Sequence, residues 1–276
     1  DFNGSIDDVV VYNYPRTQGQ IISDMNGGHP TGGSPVGSMA DYWRFDDGYG
    51  TTAVDSGTQK AWGTLTNMAS PASIGTSGWN PSGKYGKAVS FDGSNDYVDF
   101  GDLSHTESAT QLTWSFWVNP NSVAATKCLF CKYNNAATQR SWAIETGTTN
   151  VSAIRVTIPT TTTEVDGTTF GETPANMLAV GAWTHVVAVY DGTATGNASR
   201  LKIYINGRSQ LLSFTGTIPA STQATTSNGV AGASSDNSRN FSGQLDEMKI
   251  YTSALTAADV QIDYNRNQAI LMGSLS

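Results

Sequence analysis

The chain has 276 residues, 38% hydrophobic and 14% charged, enough apolar material for one large domain with a real core and too much for a disordered chain. Ser, Thr, Gly and Asn are abundant while long runs of Ala, Leu, Glu and Lys are missing, which predicts an all-β fold with many turns. A formal charge of −8 repels phosphate backbones, and no apolar stretch approaches the roughly 20 residues that cross a bilayer; nucleic acid and membrane insertion are therefore not expected.

Residues 2–12, Phe-Asn-Gly-Ser-Ile-Asp-Asp-Val-Val-Val-Tyr, return near the other end as residues 241–251, Phe-Ser-Gly-Gln-Leu-Asp-Glu-Met-Lys-Ile-Tyr. A self-match so far apart is the mark of tandem modules. Residues 1–26, with Thr17, Ile21 and Met25 at helical spacing, read as the last strand and helix of a preceding module, or as a strand that docks on a neighbouring copy. Residues 27–38, rich in Gly, Pro and Ser, are the expected linker, residues 39–267 one complete domain, and residues 268–276 a tail. The domain opens with a strand at 42–45, closed by Asp46-Asp47-Gly48. Residues 58–87 carry Trp62, Trp79 and Tyr85 in a Gly-, Ser- and Pro-rich context that predicts a long surface loop. Residues 88–91 and 97–100 flank Asp92-Gly93-Ser94-Asn95-Asp96 and read as a hairpin.

Leu112, Trp114, Phe116 and Val118 alternate with polar residues and should line the core; Trp117 points the other way, to a concave sheet face or a covering loop. Short strands follow at 129–132, 141–145 and 153–158. Strict alternation puts Cys128 and Cys131 on opposite faces, which favours buried free thiols over a disulfide or a redox or metal pair. Residues 183–190 and 201–205 form a second hairpin, with Asp191-Gly192 and Asn206-Gly207 at its turns. In the last strand Leu245, Glu247, Lys249 and Tyr251 alternate with Asp246, Met248 and Ile250. A short helix capped by Thr256 follows, with Asp259 three places on and Leu255, Val260 and Tyr264 as its apolar stripe. Short strands between regular turns predict a two-sheet antiparallel β-sandwich with a short C-terminal helix.

Tyr42-Trp43-Arg44-Phe45-Asp46, Ala88-Val89-Ser90-Phe91-Asp92-Gly93, Thr113 to Val118, Trp183 to Val187, Ile203-Tyr204-Ile205-Asn206-Gly207 and Gly243 to Glu247 stand in an order that resembles the concanavalin A-like jelly roll of laminin-G and pentraxin-type domains. The resemblance covers about residues 39–266. It implies an extracellular or cell-surface module, often in tandem, that binds carbohydrate or protein and often holds calcium. Residues 124–181 form a longer threonine-rich insertion than the pattern demands.

Calcium takes oxygen ligands, and the resemblance offers Asp46, Asp92, Asn95, Asp96 and Asp246 near strand ends and turns. A sugar site wants an aromatic face with polar neighbours, for which Trp62, Trp79, Tyr85, Tyr133 and Trp142 are the candidates. The Glu-x-Asp-x-x-Glu run of the jelly-roll glucanases is absent, Glu145 and Glu172 stand alone, and His29, His105 and His185 suggest no Ser-His-Asp set, so the chain is not expected to be an enzyme. The expected function is a non-catalytic carbohydrate-binding or adhesion module of a larger secreted protein, with a glycan as partner and calcium as stabiliser. The alternative is a structural subunit of a filament or surface layer, linked through its N-terminal strand to neighbouring copies.

Overall fold

The computed structural model describes residues 39–68, 77–148 and 150–265, with Asn3, Gly4, Val11, Pro15 and Arg16 besides. The expectations for residues 1–26, 27–38 and 268–276 lie outside the described residues. Two antiparallel sheets face one another. The first holds eight strands: β1 (Met39–Trp43), β4 (Gly78–Asn80), β5 (Ala88–Asp92), β7 (Gln111–Pro120), β12 (Thr184–Asp191), β13 (Leu201–Ile205), β14 (Arg208–Ser209) and β17 (Ser242–Tyr251). Its order is β14-β13-β12-β7-β17-β5-β4, with β1 also on β17.

The second sheet holds nine: β2 (Thr52–Ala53), β3 (Gly63–Thr66), β6 (Tyr97–Asp99), β8 (Cys128–Asn134), β9 (Gln139–Thr146), β10 (Ile154–Thr157), β11 (Phe170–Glu172), β15 (Ser213–Thr215) and β16 (Val230–Ala231). They run in the order β15-β11-β10-β9-β8-β16-β6-β3-β2. One helical turn, α1 (Asn197–Arg200), lies between β12 and β13, and a helix, α2 (Ala257–Asn265), follows β17. The long loop expected at 58–87 thus contains two strands. The expected hairpin at 88–100 is instead a crossover: β5 pairs with β17 and β4, β6 with β3 and β16, so the Asp92–Asp96 turn passes between sheets. Alternation describes both strands correctly but does not say whether they pair with each other.

The core fills the space between the sheets. Leu112, Trp114, Phe116 and Val118 all point into it, as their spacing requires, and meet Trp142, Ile144, Ile154 and Val156 from the opposite sheet. Trp114 and Trp142 have ring centroids 5.1 Å apart, and Phe130 meets Trp142 edge-on at 4.9 Å. Such contacts combine large buried area with favoured ring geometry.

Two bulges alter which side chains reach the outside. In β17 the register against β7 slips between Asp246 and Lys249, and Glu247 takes a left-handed φ of 54°. Leu245, Met248 and Ile250 therefore enter the core, while Asp246, Glu247, Lys249 and Tyr251 belong to the outer side, which corrects the alternation expected for this strand. In β8 a register shift between Cys128 and Phe130 sends both Leu129 and Phe130 into the core and brings Cys128 and Cys131 to the same outer face. There they form a disulfide, with Cα atoms 6.2 Å apart. The expectation of free thiols failed because it assumed an unbroken period of two.

α2 packs on the outer face of the eight-stranded sheet. The Asp259 carboxylate accepts the Thr256 N–H at 2.9 Å and the Thr256 hydroxyl at 2.7 Å, and the Asp259 N–H returns to the Thr256 hydroxyl at 3.3 Å, a reciprocal cap. Leu255 and Val260 pack on Tyr42, Val187, Val189, Tyr204 and Tyr251. Tyr264 stacks on Trp117 at 5.7 Å. One turn from Val260, buried Asp263 accepts from the hydroxyl of Ser115 and pairs with Lys249 at 2.5 Å and His185 at 3.4 Å. Burial alone would raise the Asp263 carboxyl, but the Lys249 charge and the His185 hydrogen bond outweigh it and hold the group well below its usual range. Burial lowers His185, against the pull of Asp263.

These contacts assemble a serine, a histidine and an aspartate that sequence reading had left apart. All three are buried: Ser115 Oγ lies 3.0 Å from His185 Nε2, Asp263 approaches that same nitrogen at 3.4 Å, and His185 Nδ1, the atom an aspartate holds in a Ser-His-Asp triad, has no partner among the described residues, so the three act here as a clamp on α2. The bulge makes that clamp possible, because it turns Lys249 outward. Both Glu247→Gly and Glu247→Val remove the carboxylate that accepts from the Tyr42 hydroxyl, and they differ only in tolerance of positive φ. Urea unfolding should show the valine variant less stable than the glycine variant by a further 1–2 kcal/mol or so. Equal losses would contradict the bulge as described.

Candidate ligand-binding face

Each strand of the nine-stranded sheet turns alternate residues away from the core. The register sets Glu145, Arg155 and Glu172 side by side across β9, β10 and β11 on that outer face, with Thr157 and Phe170 in the next row. The bulge in β8 adds Cys128, Cys131 and Tyr133. Glu145 and Glu172, isolated in sequence, are therefore neighbours of one arginine.

Residues 158–169, the threonine-rich connection from β10 to β11, fold over this face. Glu164 ties the two limbs of the loop together: its carboxylate accepts the Thr168 hydroxyl at 2.7 Å and the Thr160 N–H at 2.5 Å. Arg140 Nη1 donates to the Glu164 carbonyl at 2.6 Å. Asp166 then reaches down to the sheet. Its carboxylate accepts from Arg239 Nη2 at 2.9 Å and from the Tyr133 hydroxyl at 3.0 Å, and lies 3.5 Å from Arg155 Nη2. Beneath it Glu145 accepts from Arg239 Nη1 at 2.9 Å and from the Thr157 hydroxyl at 3.3 Å. The Phe170 ring lies 4.1 Å from the Arg155 guanidinium and the Tyr133 ring 4.9 Å from that of Arg239, contacts that hold both planar groups in place.

Burial pushes the Glu145 carboxyl upward, opposed by Arg239 and Arg155. Burial opposes the charge on Arg239, but Glu145 and Asp166 outweigh it and raise the group. Burial and the Asp166 charge raise the Tyr133 phenol, which stays protonated and able to donate. The result is a preorganised array of guanidinium and phenol donors with carboxylate acceptors, of the kind that binds hydroxyl and carboxylate oxygens.

The five aromatic residues proposed for sugar stacking do not form one surface. Trp142 lies in the core between Trp114 and Phe130 and donates its indole N–H to the Thr106 hydroxyl at 3.1 Å. Trp79 is also buried and donates to the Gly50 carbonyl at 2.8 Å. Neither presents a ring face to a ligand, because each takes the inward phase of its strand. Tyr85 is half-buried on the other sheet, edge-on to Trp117 at 5.9 Å. Tyr133 belongs to the polar array, and Trp62, 58% exposed beside β3, does present a face.

The proposed metal ligands separate likewise. Asp46 and Asp246 flank residues 83–87, accepting the N–H groups of Lys87 and Tyr85 at 2.9 Å each. Asp92, Asn95 and Asp96 sit at the far end of β5, about 13 Å along the strand. Among the described residues no three His, Cys, Asp or Glu side chains gather as a metal group. Lys87 Nζ, 3.1 Å from the Asp46 carbonyl oxygen, already brings positive charge to the first site. Burial, together with the nearby Glu247 charge, pushes the Asp246 carboxyl up to about 8, against the Tyr85 N–H. The second site is made of oxygen atoms. Asn240 Oδ1 is buried there without a hydrogen-bond partner among the described residues, and Asn240 donates to the Ser94 carbonyl in the same turn.

Arg155, Asp166 and Arg239 were missed in sequence. Arg155 carried a signal, a charge between Ile154 and Val156 inside a short apolar strand, but nothing local tells that Arg239, 84 places on, will share Glu145 and Asp166 with it.

The sequence model of the concanavalin A-like lectin/glucanases superfamily (Laminin_G_3) matches residues 92–261, more than half of the chain. The chain belongs to that superfamily. No curated protein sequence matches this lectin/glucanase-superfamily chain. Among solved structures it is similar to domain 4 of AbnA, an extracellular arabinanase from Geobacillus stearothermophilus, in complex with arabinotriose: TM-score 0.52, 22% identity, 82% of this chain and 97% of that one. Trypanosoma rangeli sialidase in complex with sialic acid matches with TM-score 0.57 at 9% identity, over 88% of this chain and 37% of that one. The receptor-binding domain of botulinum neurotoxin C/D mosaic serotype gives TM-score 0.55 at 11% identity, over 83% and 51%. At these identities the likeness is one of fold, and the chain spans 37% and 51% of the last two proteins.

Two tryptophans separate packing from binding. Trp142→Ala should cost about 3–5 kcal/mol of stability. Trp62→Ala should stay within about 0.5 kcal/mol in the same denaturant titration. A large loss at Trp62, or none at Trp142, would contradict these placements.

Proposed function

We propose that this domain is a non-catalytic carbohydrate-binding module of a larger extracellular protein and that its ligand meets the outer face of the nine-stranded sheet. The observation that carries this reading is the array of Tyr133, Arg155 and Arg239 around Asp166, whose side chain, 31% exposed, brings the array to the surface. The arabinanase domain whose length this chain covers almost entirely is described with arabinotriose bound, which favours a glycan over a protein ligand. Against a hydrolase, Glu145 is fully buried and engaged by Arg239, and the Ser115, His185 and Asp263 group is sealed beneath α2. The disulfide supports an oxidising, extracellular setting. Among the described residues no helix is long and apolar enough to cross a membrane.

Calcium enters the proposal as a stabiliser held by Asp92, Asp96 and Asn240, where the Asn240 amide oxygen is buried without a donor among the described residues and the Asp96 carboxylate has the Asp92 N–H and the Ser77 hydroxyl beside it. An ion there would supply the missing positive charge.

Calorimetric titration with linear arabino-oligosaccharides tests the binding, run with calcium and with chelator. Saturable binding is expected, together with a melting temperature that rises on adding calcium in the parent protein and not in Asp96→Asn. A folded protein that binds neither these sugars nor any member of a glycan array would sink the carbohydrate reading. An unchanged melting temperature would remove calcium from it.

A further inference from the structure

Three donors from separate parts of the chain, Arg155 on β10, Arg239 ahead of β17 and Tyr133 on β8, converge on one carboxylate, and that carboxylate belongs to a surface loop. The donors are fixed: Arg155 and Tyr133 are buried, and both guanidiniums lie against aromatic rings. The occupant is held differently. Asp166 is followed by Gly167 at a φ of 79°, and its neighbour Val165 is 72% exposed. Nor does Asp166 use the donors fully. Arg155 Nη2 lies 3.5 Å from it and finds no hydrogen-bond acceptor among the described residues, although Arg155 is 1% exposed.

We propose that Tyr133, Arg155 and Arg239 form a carboxylate-binding subsite, filled here by Asp166 of the covering loop, and that an acidic sugar displaces Asp166 by placing its own carboxylate there. The proposal rests on the carbohydrate reading above and narrows its ligand to uronic-acid-type sugars. The charges favour the exchange. With Asp166 withdrawn, Arg155 and Arg239 keep Glu145 as their ion-pair partner among the described residues, with Glu172 across the strand from Arg155, and the side of both guanidiniums that Asp166 faced is left without an acceptor. A planar carboxylate can take two parallel N–H bonds from a guanidinium, which Asp166, tethered by its loop, does not do with Arg155. The Asp166 carboxylate is then free to return to solvent as the loop lifts.

The test compares the parent protein with Asp166→Ala against trigalacturonate, its methyl ester and arabinotriose. Asp166→Ala should bind trigalacturonate at least about tenfold more tightly than the parent, the loss of one competing charged contact. The gain should vanish with the methyl ester and in Asp166→Ala combined with Arg155→Gln. Acetate, which is not a sugar, reads the subsite by itself and should raise the melting temperature of Asp166→Ala but not of the parent. If Asp166→Ala does not fold, Asp166→Asn, which keeps the shape of the loop and removes its charge, takes its place in every arm. A folded variant that gains neither trigalacturonate affinity nor acetate stabilisation would overturn the proposal and leave Asp166 as a brace for the loop. Acetate stabilisation without any sugar binding would uphold the subsite while refuting the carbohydrate reading on which the choice of ligand depends.

Discussion

A single extra residue in β17 determines what the outer face of the eight-stranded sheet is made of. β17 serves two partners on one edge, β5 against its first half and β1 against its second, and the slip between Asp246 and Lys249 falls where one partner gives way to the other. Asp246, lying in that gap, accepts the N–H of Tyr85 from the neighbouring loop. The bulge lets one strand keep Leu245, Met248 and Ile250 in the core while turning Lys249 to the place where it neutralises Asp263. Without that lysine a buried carboxylate on α2 would lack its main counter-charge, and the helix would lose its anchor.

The two outer faces answer the same problem differently. A sheet in a sandwich has one face paid for by the core, and its other face is usually wet. Here part of each is covered, one by α2 and one by residues 158–169, and each cover is held by an aspartate paired with at least one cation. Asp263 is fully enclosed and acts as a fixed pin. Asp166 keeps contact with solvent and sits on a loop, over donors that are more deeply buried than it is. That difference in exposure is why we assign the first cluster to structure and propose the second as a binding site.

The fold was largely legible. Alternation from Leu112 to Val118 gave the central strand and its core face, Asp191-Gly192 and Asn206-Gly207 marked real turns, and Thr256 with Asp259 capped a real helix. Legibility ended where the period of two was broken: at Glu247, whose left-handed conformation no local residue announces, and at Leu129, where consecutive residues both enter the core. It also ended at pairings between distant segments. The residues 92–96 turn looked like a hairpin because each flank was a good strand, yet the flanks joined different sheets. Of the candidate site only Tyr133 was named in advance, and for ring stacking; the structure uses its hydroxyl as a donor to Asp166. Aromatic residues invite a functional reading, but Trp79 and Trp142 are inward-phase core residues.

Membership in the lectin/glucanase superfamily fixes the scaffold, while the site must be argued from its own groups. We propose that those groups form the ligand-binding site, on the outer face of the nine-stranded sheet and away from the exposed ring of Trp62. The most direct measurement is a map of amide chemical-shift changes on titrating arabinotriose and trigalacturonate into the isotope-labelled protein. The account predicts that the changes concentrate on Tyr133, Glu145, Arg155, residues 160–168 and Arg239. Saturable binding whose changes fall instead around Trp62 and the β2–β3 edge, or over α2, would contradict it.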